Sequence, residues 1–354
     1  MIMLIKQSRF PIKQMLTVGL LPSSLKIAYY RGRGAKIGRN VSIGPGAVIV
    51  AREIEIGDGT TIGFGTYFKA RKVQIGRHAR IGSATFIDAE TVSIGEDAKI
   101  NEQVFVGGLS SPESHLRIGA RTILMQHTFI NVARPVTIGD DTGIGGRCSI
   151  FTHGSWQNQL DGYPVAFAPV TIGSNVWIPW EVFIMPGVTI GDGATIGARS
   201  LVTRDIPAGA LAVGSPAKVI RTSDQYPARP DHGQQVAMLR GMLDEFCEAI
   251  AYEAFKVNRD RQDGSERITV SGPQGDAHVL LVDYEGVLNP KQGVTADAVL
   301  ALVGVDTATR RTLESSGRLW LDLAAKQRGG PADDLGEEIV DFLKRFGIRF
   351  ARTS

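Results

Sequence analysis

The sequence predicts an all-β coil of stacked triangular turns, a parallel β-helix, with a C-terminal helix and a small α/β extension. Three observations carry this reading. An aliphatic residue returns every six positions through most of residues 35–221, glycine is abundant, and aromatics are scarce. The 354 residues include 42 glycines against 7% aromatics, with 43% hydrophobic residues in all. Such a composition suits many tight corners around a core of Ile, Val and Ala.

The beat falls at 37, 43, 49; 56, 62, 68; 75, 81, 87; 94, 100, 106; 118, 124, 130; 138, 144, 150; 172, 178, 184; and 190, 196, 202. Steps within a triplet are always six. Extra residues enter only between triplets, sixteen of them after Ile150. Stretches such as "IGDGTTIGFGTYF" and "VTIGDGATIGARSLV" show the unit: aliphatic, Gly, two variable residues, a small residue, one more. This is a short strand plus a corner, with the aliphatic and the small residue facing inward and glycine expected to turn the chain. Three units close one turn. About eight turns at about 4.8 Å each make a rod of roughly 40 Å, and every insertion leaves the same corner. Repetition at a fixed period decides architecture before local propensity does.

Residues 1–34 read as a basic N-terminal cap segment ahead of the coil at 35–221. Residues 1–52 hold nine Lys/Arg and no Asp or Glu, although the whole chain nets only +3. Lys13, Pro22 and Lys26 interrupt the apolar residues, so no run can span a bilayer, and no small-residue cleavage site is evident. The segment is expected to cover the rod's end, and residues 1–39 also offer a peripheral contact to anionic membrane.

Residues 222–257 read as a linker and a helix from about Gln234 to Lys256, with Val236, Leu239, Met242, Leu243, Phe246 and Ile250 at helical spacing. Residues 258–354 read as a small α/β domain whose role the sequence does not give. "ERITVSG", "AHVLLVDYEG" and "RLWLDLAA" are its strands, and "LGEEIVDFLKRF" is an amphipathic helix. Its acidic pair, Asp283 and Glu285, reads as solvated carboxylates at a strand end. Two cysteines, Cys148 and Cys247, give neither a disulfide framework nor a thiolate zinc site, which suits a reducing, cytoplasmic setting.

One stretch, "SIFTHGSWQNQ", breaks the beat. His153 stands in it, just past the third aliphatic of the sixth turn, on the longest insertion. A structural histidine would sit on the inward pattern, and this one does not. The plain alternative is an exposed loop histidine; the placement of functional groups on loops held by a rigid scaffold favours a site.

Over about 35–221 the chain resembles the hexapeptide-repeat, left-handed parallel β-helix acyltransferases. The stretches "FTHGSWQNQ", "TIGSNVWI" and "VTRDIPAGALAVGSPAKVIR" are similar to the galactoside and maltose O-acetyltransferase branch. The left hand is implied by that resemblance alone and runs against the usual crossover rule. It also implies acetyl-CoA or another acyl-CoA as cosubstrate, without a metal, and a homotrimer with sites between subunits. His153 takes the place of the catalytic histidine, a general base toward an acceptor hydroxyl.

On the same match His127 falls where relatives carry an acceptor-contacting asparagine, and Trp156 and Asn158 fall in the acceptor loop. Trp177, Trp180, Ala198, Thr203, Arg204, Lys218 and Arg221 fall at cofactor-binding positions, where cations suit the phosphates of CoA. Two departures stand out. Pro179 and Trp180 follow "VWI" where relatives have glycine and a small residue, so the indole is expected to reshape the acyl end of the groove. Gly154-Ser155-Trp156 follows His153 where the sugar branch has proline next, which bears on the acceptor.

The function implied is acyl transfer, acetyl first, to a sugar hydroxyl of a surface polysaccharide or glycoconjugate, at the inner face of the membrane. The rival is N-acyl transfer to an amino-sugar nucleotide. A serine O-acetyltransferase would need a long helical N-terminal domain. A zinc hydrolase on this prism would need closely spaced histidines, which His115, His127 and His153 are not. A purely structural rod would leave the His153 loop unexplained. No nucleic-acid partner is expected.

Overall fold

The aliphatic beat becomes three inward ladders. In the computed structural model, which describes residues 12–108, 111–155, 157–272 and 275–353, the repeats form three sheets of eight, ten and eight strands, parallel except for the last strand of the second. Neighbours within each sheet are three strands apart in sequence, except across the inserted hairpin and at the end of the second sheet, so each sheet is one face of a three-sided coil. On the first face Ile37, Ile56, Ile75, Ile94, Ile118, Ile138, Ile172 and Ile190 pair in unbroken register. On the third face Ile49, Phe68, Ile87, Val106, Ile130, Ile150, Ile184 and Val202 do the same. All 24 beat residues are buried in one cluster. Each ladder stacks like on like, so no turn leaves a void for the next to fill.

The corners refine the expectation about glycine. The residue that turns the chain is three past the aliphatic and is in the left-handed region, from Asn40 (φ 54°) to Arg199 (φ 59°). Glycine fills only five of those positions in the rod, Gly46, Gly59, Gly65, Gly187 and Gly193. The glycine one past the aliphatic has a different duty. A Cβ on Gly95 would lie 2.4 Å from the Ala120 nitrogen, and one on Gly57 2.5 Å from the Arg77 nitrogen. That position is kept bare because the next turn's backbone lies against it. The small inward residue then donates across turns: Thr60 Oγ1 to Gly76 O (2.7 Å), Thr122 to Gly139 O (2.6 Å), Thr142 to Gly173 O (2.7 Å).

Residues 12–34 cap the first turn. Its exposed N–H groups find acceptors there: Ile43 N–H donates to Ser23 Oγ (2.9 Å), Gly46 N–H to Gly19 O (2.7 Å), and Ile49 N–H to Tyr30 Oη (2.9 Å). Buried Lys26 donates its ammonium to Gly44 O, and burial lowers its pKa. An open sheet end is thus closed by side-chain and backbone acceptors of the cap instead of another strand.

The chain divides into two units, Met1–Ala228 and Arg229–Ser354. The second holds a seven-stranded mixed sheet. Helices His232–Tyr252 and Asp334–Leu343 bury Leu239, Leu243, Phe246, Ile339 and Leu343 against one face. Leu313, from helix Thr307–Ser315, packs with Leu281, Val299 and Trp320 on the other. The helix expected beside a linker therefore belongs to this core. Strand Ala298–Ala301 was not legible, because a four-residue apolar run carries no period. Asp283 corrects a further expectation: it is buried, not solvated, and its carboxylate accepts the N–H groups of Gly286 (2.8 Å), Val287 (3.0 Å) and Leu288 (3.1 Å).

Candidate active site

The sixteen-residue insertion opens with a small hairpin. Strand His153–Gly154 pairs antiparallel with Ala166–Phe167, placing His153 opposite Phe167. The imidazole stacks on that ring, with centroids 5.5 Å apart and planes 20° apart, and the Arg134 guanidinium lies over the same ring at 5.2 Å. Arg134 is itself held by Glu113 at 3.1 Å. His153 is half-buried, and its Nδ1 lies 2.8 Å from Oδ1 of buried Asn131.

Asn131 settles the tautomer. The Ala133 N–H, which can only donate, reaches the same Oδ1 at 3.3 Å. That atom must therefore be the amide oxygen, and Nδ1 of His153 must carry the proton. In the neutral ring Nε2 then holds the lone pair. Asn131 was missed by the sequence reading. It follows an inward aliphatic, Ile130, and the parallel pairing of Ile130 with Ile150 sets it beside the chain that leads into His153.

The other expected residues lie along two edges of the prism. At the edge between the second and third faces, Arg147 N–H donates to Gln126 O, Glu181 N–H to Gly146 O, and Arg199 N–H to Trp180 O. His127, Trp180 and Ala198 share that edge, and all three are exposed. His127 is its corner residue in the fifth turn (φ 61°). His78, at φ 56°, fills the same kind of corner with no site near it in sequence, since histidine tolerates this backbone region. At the edge after the third face, Phe151 N–H donates to Ile184 O and Met185 N–H to Val202 O, aligning His153, Thr203 and Arg204. The two edges are a full strand apart, roughly 15–20 Å. One chain does not bring His153 and His127 together.

Trp177 lies over Gly143, and Trp180 over Gly146, where a Cβ would come within 2.4 Å of the indole. Lys218 and Arg221 stand on Ala217–Arg221, a strand added to the second face. Thr203, Arg204, Lys218 and Arg221 are exposed, and among the described residues no carboxylate pairs with the three cations. Lys218 and Arg221 thus share the second face with Trp177, whereas Thr203 and Arg204 stand on the edge after the third face. Asn158 caps a short turn, its Oδ1 accepting from Leu160 N–H at 3.0 Å. Trp156 lies outside the described residues.

Neither thiol is poised as a nucleophile. Burial pushes Cys148 up to about 11, and burial raises Cys247 as well. Among the described residues one cluster, His278, Asp297 and Asp333, gathers three potential metal donors. Those atoms are engaged internally: His278 Nδ1 with Asp333 at 2.7 Å, and Asp297 with Arg318 at 2.6 Å.

This architecture defines a class, the hexapeptide-repeat coils, and residues 169–204 match the family described as Bacterial transferase hexapeptide (six repeats). Beyond that segment the chain is similar to galactoside and maltose O-acetyltransferases. The galactoside O-acetyltransferase of Escherichia coli (strain K12) is 46% identical over 89 residues, 24% of this chain and 43% of that protein. A galactoside acetyltransferase solved in complex with coenzyme A is 33% identical, covering 36% of this chain and 70% of that one, with a TM-score of 0.29. A maltose O-acetyltransferase from Clostridium difficile 630 is 22% identical over 60% of this chain and 83% of that one, with a TM-score of 0.28. The chain spans less than half the length of the curated relatives it matches.

Proposed function

We propose that this chain is a CoA-dependent O-acyltransferase, transferring acetyl to a sugar hydroxyl of a surface polysaccharide or glycoconjugate, on a left-handed coil. The observation that carries the reading is the His153–Asn131 hydrogen bond, which leaves Nε2 basic and aimed away from its anchor. His153 takes the proton of the acceptor hydroxyl as that oxygen attacks the thioester carbonyl, and the acyl–sulfur bond breaks to release the thiol of CoA. Arg204, Lys218 and Arg221 hold the phosphates, Thr203 and Ala198 line the cofactor's path, and Trp177 flanks it. His127, Trp156 and Asn158 belong to acceptor recognition.

The site is completed by a second copy. Tyr67, Phe86, Phe105, Phe129, Phe151 and Phe183 stack along the outside of the third face at spacings of 4.9–5.4 Å. That stripe separates the two edges. A homotrimer that buries it sets the His153 edge of one chain beside the His127 edge of the next. With both cysteines free and no described helix long and apolar enough to cross a membrane, we place the reaction in the cytoplasm, at the inner face of the membrane.

The test is release of CoA thiol from acetyl-CoA against a panel of sugars, nucleotide sugars and free serine, with His153→Ala beside the parent chain. Sugar-dependent release that falls by about 10²-fold or more in kcat, with CoA affinity nearly unchanged, is expected of a general base. Release that is indifferent to His153, or confined to serine, overturns the reading.

A further inference from the structure

The cap that closes the rod has two sides. Val18, Lys26 and Tyr30 are buried against the first turn. Ile12 and Leu16 stand one helical turn apart on Ile12–Leu16, Leu20 ends the 3-10 turn Val18–Leu20, and Leu25 and Tyr29 stand one turn apart on Ser23–Gly32. These five are 39–69% exposed. The fold uses one side of the cap and leaves the other apolar and exposed.

Cations surround that apolar run. Arg31, Arg33, Lys36, Arg39 and Arg52 are exposed, and among the described residues only Arg39 meets a carboxylate, Asp58 at 3.5 Å. The Arg33 guanidinium lies 5.5 Å over the Tyr29 ring. No acidic residue occurs before Glu53, and the preceding sequence, "MIMLIKQSRF", continues the mixture of large apolar and basic residues.

We propose that this side of the cap docks on an anionic lipid bilayer. Leu16, Leu20, Leu25 and Tyr29 enter the headgroup boundary, where an aromatic with a polar tip is favoured, and Arg33 and Lys36 meet lipid phosphates. Charge decides between occupants. A second copy of the cap would oppose cations with cations, whereas an anionic surface neutralises all of them. The contact is reversible, since it consists of a few partly inserted side chains plus screened charge. It concerns where the protein sits and is independent of the acyl-transfer reading.

The experiment is co-sedimentation of the full chain with vesicles of phosphatidylcholine alone, or of phosphatidylcholine mixed with phosphatidylglycerol. Sedimentation with the mixed vesicles only, lost at high salt, is expected. Arg33→Gln with Lys36→Gln should weaken it by about tenfold or more, and Leu16→Gln with Leu20→Gln should weaken it comparably at low salt. All four side chains point away from the rod, so an unchanged melting temperature is expected of both variants. A variant that melts early is replaced by raised salt for the charges and by Leu25→Gln for the apolar part. Equal sedimentation with both vesicle types overturns the proposal, and so does none with either. Binding that survives both pairs of substitutions, or a change in oligomeric state in place of vesicle binding, overturns it as well.

Discussion

Asn131 Oδ1 takes the hydrogen bond of His153 Nδ1 at 2.8 Å and is approached by the Thr152 hydroxyl at 3.0 Å. An amide here orients the imidazole without charging it. Asn131→Asp keeps the shape and adds a negative charge, which favours the protonated imidazole. A base must be neutral to act, so the acid-side inflection of kcat/KM should move up by about one to three pH units. Asn131→Ala should instead lower kcat without that displacement. If Asn131 only packs the loop, neither pH profile moves. Trp180 belongs to the same scale. Its indole rests on Gly146 at an exposed edge, so it covers backbone and fills space where the family match places the acyl end of the groove. Trp180→Ser should change the ratio of kcat/KM for acetyl-, propionyl- and butyryl-CoA. A constant ratio with lowered stability would make the residue a packing one.

At the scale of the element, the corner distinguishes two glycines that the sequence writes alike. Gly95 has no room for a Cβ, because the backbone of Gly119 and Ala120 lies within 2.7 Å of it and cannot yield independently of its ladder. Gly65 is at φ 64° with nothing within 4 Å. Gly95→Ala should therefore cost about 2–3 kcal/mol, the price of overpacking against a fixed backbone. Gly65→Asn should cost less than about 1 kcal/mol, since asparagine visits this region readily. Denaturant midpoints of the two variants at constant slope measure the difference. Similar losses at both positions would mean that conformation, not proximity, governs the unit.

At the scale of the whole molecule, the coil holds its candidate site residues, His153 and His127, on two edges and its aromatic stripe between them. Phe105, 41% exposed, is at the middle of that stripe, stacked between Phe86 and Phe129 at 4.9 and 5.4 Å. Phe105→Glu puts a charge into the face that a trimer would desolvate. The expected outcome, read by light scattering with the activity assay, is a monomer with little turnover that keeps the far-UV spectrum of the parent. A fully active monomer would rule out a site shared between chains.

The rod was legible in the sequence because a parallel coil satisfies each turn with its neighbour, so one local rule, repeated, specifies inward side chains, stacking and the corner where loops leave. The beat from Ile37 to Val202 and the break at His153 needed nothing else. The cap was half legible: its basic charge was plain, but which side faces the rod depended on N–H groups of the first turn that Ser23, Gly19 and Tyr30 satisfy. Tertiary structure alone decided the rest. Asn131 meets His153 because adjacent turns pair in register up to Ile150 and the chain then stays against it, and Asp283 can be buried because four consecutive residues turn their N–H groups onto it. The distribution of His127 and His153 between separate edges, by contrast, was legible, since His127 follows a second unit of its turn and His153 a third. Position in the six-residue period assigns a residue to an edge, but which edges come together in the working site depends on a surface that a single chain presents without filling.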